Sequence, residues 1–285
     1  MSKIGIIGGS GLYDIEGIKK VKSVKVATPF GSPSDEYITG ELEGKEVVFL
    51  PRHGKGHKIS PSKINYQANI FGMKKLGVEC ILSVSACGSL KDEMAPMDFV
   101  LPDQFIDRSN RGRVMTFFDE GIVAHVGFAD PICLNLSKII LSSAEKLNIK
   151  THPKGTYINM EGPAFSTKAE SNLYRSWGAS IIGMTNIAEA RLSREAEMCY
   201  STLAAVTDYD CWHPNHDNVT VEMVMRNLTE NVGNAKKIIR QVVRDLPDNA
   251  DCKCKNALKY AIVTNKDVVP KKTKKDLDII IGKYM

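Results

Sequence analysis

Three short polar turns, each directly after an apolar run, carry the residue types of an anion site. They are Gly8-Gly9-Ser10-Gly11 after residues 4–7, Arg52-His53-Gly54 after residues 47–50, and Ser85-Ala86-Cys87-Gly88-Ser89 after residues 81–84. Glycine lets the backbone turn sharply and approach a ligand, so that N–H groups face phosphate oxygens while Ser and Arg side chains complete the ring. The planar fork of Arg52 matches a phosphate bidentately; its alternative, directly after an apolar strand, is a structural salt bridge. A second signal, Thr207-Asp208-Tyr209-Asp210, closes another apolar run. Carboxylates at i and i+2 face the same side if the extension continues. Two of them shielded from water cannot both ionise cheaply, so one pKa rises above its usual ~3.9 and supplies an acid near neutral pH. An anion cup with a carboxylate pair implies a reaction that involves phosphate.

Other readings of these motifs fit less well. A dinucleotide fingerprint would need a small residue at Asp14, and no Gly-Lys-Ser/Thr follows to make a phosphate loop of the nucleotide-triphosphatase kind. Asp208 and Asp210 lack the further acids of a divalent-metal cage, so no metal is expected there. Phe165, in the loop over residues 161–166, can stack on a planar ligand or pack beneath the loop. Met184-Thr185 ends a strand-like run, where methionine is core or lines the apolar face of a sugar.

Apolar runs at residues 4–7, 47–50, 80–84, 99–101, 122–126, 156–160, 180–184 and 201–206 read as strands. Helical spacing lies between them. Ser62 is placed to cap a helix with a stripe through Tyr66, Ile70 and Met73, Thr167 and Glu170 form a capping box, and residues 135–147, 188–199 and 221–246 carry helical periods. Strands alternating with helices predict an α/β fold, a three-layer α/β/α domain with a central mixed sheet and ligands at the carboxyl ends of strands. No linker divides the chain, so residues 1–285 read as one domain with about 250–285 as a C-terminal extension.

With 43% hydrophobic and 25% charged residues the composition is that of a globular protein with a sizeable core. The net charge of +5 is scattered apart from a lysine run at 271–275, which reads as a solvated tail and not as a nucleic-acid surface. No leader or membrane-length apolar stretch is visible, so a cytoplasmic protein without membrane partners is expected. Seven cysteines, an odd number without C-x-x-C pairs, indicate neither a metal ribbon nor a secreted scaffold.

Taken in order, residues 4–11, Arg52-His53-Gly54, residues 65–69, 85–89 and 103–107, Glu161-Gly162-Pro163, Met184-Thr185 and residues 207–210 resemble the motifs of the 5'-methylthioadenosine phosphorylases, in the trimeric purine nucleoside phosphorylase superfamily. The resemblance runs from about residue 4 to residue 245. It implies phosphate contacts from Ser10, Arg52, His53, Ser85, Ala86 and Thr185, with Met184 by the ribose. It also implies that Phe165, Ser166, Asp208 and Asp210 surround the adenine near Gly88, with Asp208 and Asp210 catalytic, and that Val221, Val224 and Met225 form an apolar 5'-methylthio pocket. His125 matches a histidine that reaches this pocket from a neighbouring subunit, so a homotrimer or homohexamer with interfacial sites is implied. The implied reaction is reversible phosphorolysis of 5'-methylthioadenosine in purine and methionine salvage, with inorganic phosphate as co-substrate and no cofactor. A phosphorylase for adenosine or 6-oxopurine nucleosides is the alternative within the class, and a phosphate-binding sensor without turnover is the alternative outside it. Ala164, Asn186 and Ala188 depart from the family's common Arg, Thr and Pro. Cys252-x-Cys254 with Cys133 and Cys199 is similar to the cysteine pattern of hyperthermophilic members that form disulfides, a similarity that assigns no bond here.

Overall fold

The computed structural model describes residues 3–9, 11–12, 14–110, 112–214, 219–248 and 252–285. Its strands join one mixed sheet: β1 (Lys3–Gly8), β2 (Lys19–Val24), β3 (Tyr37–Leu42), β4 (Lys45–Pro51), β5 (Val78–Ser89), β6 (Phe99–Val100), β7 (Gln104–Arg108), β8 (Thr151–His152), β9 (Thr156–Met160), β10 (Ile181–Gly183) and β11 (Cys199–Asp208). The helices are α1 (Tyr66–Lys75), α2 (Leu134–Lys146), α3 (Lys168–Ser176), α4 (Asn186–Glu195), α5 (Val221–Asp245), α6 (Lys271–Asp276) and α7 (Asp278–Ile281). The sheet runs β2-β3-β4-β1-β5-β10-β9-β7, and β11 branches from β5 toward β6 and β8. Because β4, β1, β5 and β11 are mutually parallel, their carboxyl ends gather at one edge.

Side-chain alternation along these strands makes the three expected layers. Ile4 and Ile6 of β1 with Leu82 and Val84 of β5 pack among Leu136 and Ile140 of α2 and Ala235, Ile238 and Val242 of α5. Ile7, Val48, Leu50 and Ile81 instead meet Ile70 and Met73 of α1 and Ala190 and Leu192 of α4. Leu258, Ala261, Val269, Leu277, Ile280 and Ile281, from the last 34 residues, are buried in this second cluster. No helix among the described residues is long and apolar enough to cross a membrane.

Several local expectations are corrected. Residues 85–89 are not a turn: β5 continues straight through them, held by β11 on one side and, at Gly88 and Ser89, by antiparallel β10. The run at 122–126 forms no strand and makes only an isolated bridge between Ala124 and Ile262. The cap of α1 is Asn65, whose side chain accepts from the Ala68 N–H, while Ser62 sits in a preceding 3-10 turn. Lys271, Lys272, Lys274 and Lys275 lie in the short helix α6, although none of its residues is buried. The capping box of α3 forms as the spacing predicts, with Thr167 and Glu170 bonding each other's backbone N–H.

Candidate active site

The carboxyl ends of β5 and β11, with the turn after β4 and the start of α4, enclose a cavity of about 320 Å³. That size falls at the lower end of small-molecule sites. Its wall contains Arg52, His53, Ser85, Ala86, Gly88, Phe165, Met184, Thr185, Asp208, Asp210, Val221, Val224 and Met225. A second chamber of about 440 Å³ shares Arg52, His53, Ser85 and Ala86 and extends to Gly9 and Gly11. Ser10 lies outside the described residues. Ser166 is not on the wall, but its hydroxyl is close enough to Asp210 to act on that carboxylate. His125 is exposed on a separate segment, its N–H bonded to Ala261 O, away from this chain's own cavity.

The end expected to take an anion is assembled from buried groups. Ser85 Oγ is buried with no hydrogen-bond partner among the described residues. Thr185, only 5% exposed, occupies the N-cap of α4 without making a side-chain cap bond, so the positive dipole end of the helix lies beside it, although the Ile187 N–H of that turn is taken by Asn159 Oδ1 at 3.2 Å. Gly54, at φ +70°, takes the left-handed conformation that turns the chain after Arg52 and His53.

Arg52 itself is corrected. Its Nε donates to Glu189 Oε1 at 2.5 Å, while Nη2 reaches Glu189 Oε2 at 3.2 Å and Ser83 Oγ at 2.6 Å, and Nη1 donates to Val84 O at 2.9 Å. Burial opposes its charge, yet the adjacent Glu189 outweighs it and the pKa moves up. The salt-bridge alternative is thus the one realised, and the fork is committed to Glu189. Only Nη1 keeps an N–H without a partner among the described residues, so Arg52 can offer a phosphate one donor and not two. Glu189 belongs to a buried polar web in which Tyr200 Oη and Ser83 Oγ donate to Oε2, and Asn186 Nδ2 lies 2.9–3.1 Å from Ser83, Tyr200 and Thr202 oxygens. Nothing in the spacing of Glu189 on its helix announced this role.

His53 Nδ1 lies 2.8 Å from Ile59 O. A carbonyl only accepts, so Nδ1 holds the proton and Nε2 carries the lone pair. Burial, reinforced by the Arg52 charge, lowers the ring pKa to about 4, which keeps it neutral at pH 7. His57, absent from the expected set, stacks on it at 4.1 Å between ring centroids and also lines the cavity.

At the opposite wall Asp208 ends β11 and Asp210 follows at φ +49°, so the extension does not continue and the two carboxylates are not related as alternate strand residues. The turn instead folds the Asp210 N–H onto Asp208 Oδ1 at 2.8 Å, while Thr207 Oγ1 donates to Oδ2 at 2.7 Å. Burial raises the Asp208 pKa to about 6, with the Asp210 charge a smaller contributor than the pairing reasoning supposed. Burial also raises Asp210, whose Oδ2 has no hydrogen-bond partner among the described residues. Gly88 is required beneath them, because a Cβ there would stand 2.8 Å from Asp208 Oδ1.

The remaining wall is apolar and open. Thr220 caps α5 by accepting from the Met223 N–H, which places Val221, Val224 and Met225 in its first turns. Phe165, Val221 and Met225 are 43%, 67% and 54% exposed. Met184 is held from behind, its carbonyl accepting from Arg113 Nη1, and Arg113 also pairs with Glu161 at 3.0 Å. Sequence reading missed Arg113, since a lone arginine in a loop carries no spacing signal.

Residues 3–244 match the phosphorylase superfamily. The chain is 56% identical to the S-methyl-5'-thioadenosine phosphorylase of Geobacter sulfurreducens, across 99% of both chains, and 57% identical to that of Koribacter versatilis, across 99% of this chain and 97% of the other. Among solved structures, a methylthioadenosine phosphorylase from an antarctic soil metagenomic library superposes with a TM-score of 0.93 at 46% identity, covering 98% of each chain. The Schistosoma mansoni methylthioadenosine phosphorylase in complex with adenine gives 0.86 at 36% identity, covering 91% of this chain and 96% of that one. The gathered strand ends, the cavity and these full-length likenesses agree: the chain belongs to the phosphorylase superfamily, within its family of S-methyl-5'-thioadenosine phosphorylases.

Proposed function

We propose that this chain catalyses the reversible phosphorolysis of 5'-methylthioadenosine to adenine and 5-methylthioribose 1-phosphate. The observation that carries the site assignment is a pair of buried groups in one cavity that have no partners among the described residues. A hydroxyl, Ser85 Oγ, stands beside a helix N-terminus at one wall, and a carboxylate oxygen, Asp210 Oδ2, stands at another. The first suits an oxyanion, and the second suits the 6-amino group of adenine, where a 6-oxopurine would present an acceptor to an acceptor. Cleaving the N-glycosidic bond drives negative charge onto the base and positive charge onto the ribose, so catalysis must serve both. Asp208, its pKa raised by burial to about 6, delivers a proton or hydrogen bond to N7 of the departing adenine. Phosphate held by Ser85, Ala86, Thr185, His53, the remaining Arg52 donor and, from the family resemblance, Ser10 faces the ribose carbon. It stabilises the cation, then bonds to it. His53 Nε2, as an acceptor, pairs with the hydrogen of hydrogen phosphate. The Arg52–Glu189 pair is nearly neutral, so N–H dipoles carry most of the anion binding.

Val221, Val224 and Met225 receive the methylthio group, Met184 backs the ribose, and Phe165, with Ser166 behind Asp210, borders the base. Because Val221 and Met225 are left exposed in one chain, a second copy of the chain is the natural cover, bringing His125 to this wall in a trimer or hexamer. This chemistry calls for no metal or organic cofactor. Seven unpaired cysteines fit a reducing cytoplasm, where the products feed purine and methionine salvage. Steady-state rates on 5'-methylthioadenosine, adenosine and inosine test the assignment. The expected order is methylthioadenosine, then adenosine, with inosine far behind; inosine as the best substrate would overturn it.

A further inference from the structure

Four cysteines from three separate stretches of chain meet at the other end of the sheet from the cavity. Cys133 precedes α2, Cys199 opens β11, and Cys252 and Cys254 belong to the 3-10 turn after α5. Their sulfurs all lie within 4.8 Å of one another, with Cys133 and Cys252 at 3.5 Å, and all four are free and buried. Zn–S bonds of ~2.3 Å imply a tetrahedral S···S edge of about 3.8 Å, so modest inward shifts complete a ligand shell. Two disulfides would need only two close pairs at ~2.05 Å; they give no reason for every sulfur to approach the other three.

We propose that Cys133, Cys199, Cys252 and Cys254 form a structural tetrathiolate site for a thiophilic tetrahedral dication, zinc foremost. Up to four S–H protons leave to solvent as four metal–sulfur bonds form, with no change of oxidation state. A surface cleft of about 790 Å³ lined by Cys133, Cys252 and Cys254 supplies the entry path. Cys199 and Asp208 lie at opposite ends of β11, about 30 Å apart at ~3.3 Å per residue, so the ion acts on stability and not on chemistry. It would tie the segment after α5 to α2 and the sheet. Spacing concealed the site, because its ligands come from three separate stretches of chain.

The test is Co²⁺ titration of the full-length protein purified anaerobically with reductant. One Co²⁺ per chain, with sulfur-to-cobalt charge transfer and tetrahedral d–d bands that Zn²⁺ displaces, is expected. Cys254→Ser should lose those bands and Cys211→Ser keep them; should Cys254→Ser fail to fold, the wild-type spectrum still decides. No stoichiometric uptake, uptake without thiolate bands, or four cysteines recovered as disulfides from cells quenched with an alkylating agent would overturn the site.

Discussion

The two ends of the cavity are built in opposite ways. At the proposed phosphate end the groups sit on strand termini and a helix N-cap, with Arg52, Ser85 and Thr185 each under a tenth exposed and Arg52 braced by the Glu189–Asn186–Tyr200 web. At the proposed 5' end, Val221 and Met225 stand on the first turns of α5 more than half exposed. Charge must be positioned in a rigid, water-poor setting to act on a transition state, and only a packed core provides that within one chain. An apolar pocket needs only to be covered, and a neighbouring copy can do this.

Substitutions should separate the two ends sharply. Glu189→Ala strands the buried Arg52 cation and should cost about 3–5 kcal/mol of stability, read by urea unfolding; a loss below 1 kcal/mol would show that the pair is not buried as described. Asp208→Asn should lower kcat on 5'-methylthioadenosine by about 10²-fold or more without unfolding the chain. Unchanged turnover would remove Asp208 from the chemistry. Ser85→Ala deletes a hydroxyl with no partner among the described residues, so stability should hold while KM for phosphate rises about tenfold; an equal rise in KM for the nucleoside would argue against a phosphate role. Met225→Ala should leave folding nearly unchanged and narrow the preference for methylthioadenosine over adenosine by about 3- to 10-fold, and no change in the ratio would place the 5' group elsewhere.

The pH profile addresses the carboxylate wall. Asp208 has its pKa raised from 3.8 to about 6, so it is the protonated form that is lost as pH rises through 6. With phosphate saturating, kcat/KM should fall with increasing pH above that value, and Asp208→Asn should flatten the limb. A limb that survives in Asp208→Asn would assign it to another group.

Much of this was legible in the chain itself, because strand-terminal polar motifs and helix caps are local signals. Residues 4–7, 47–50, 80–84 and 201–206 lie within β1, β4, β5 and β11, and their carboxyl ends hold the cavity. Elements without an apolar core of their own escaped. β2 is a charged, exposed edge with the sequence KKVKSV, and β8 is two residues long. Relations between distant residues escaped too: Arg52 pairs with Glu189, 137 positions away, only through tertiary closure, and the four cysteines were grouped by the family resemblance and not by any spacing signal. Asp208 and Asp210 both line the cavity, but the geometry expected of them does not hold, since a turn and not an alternating strand joins them, and burial more than mutual repulsion raises their pKa values.

The most direct test is adenine release from 5'-methylthioadenosine measured with and without inorganic phosphate. Release should be saturable in phosphate, accompanied by one equivalent of 5-methylthioribose 1-phosphate, and negligible in its absence. Equal release in phosphate-free buffer, with free 5-methylthioribose as product, would make water the nucleophile and contradict a phosphate site at the ends of β5 and α4.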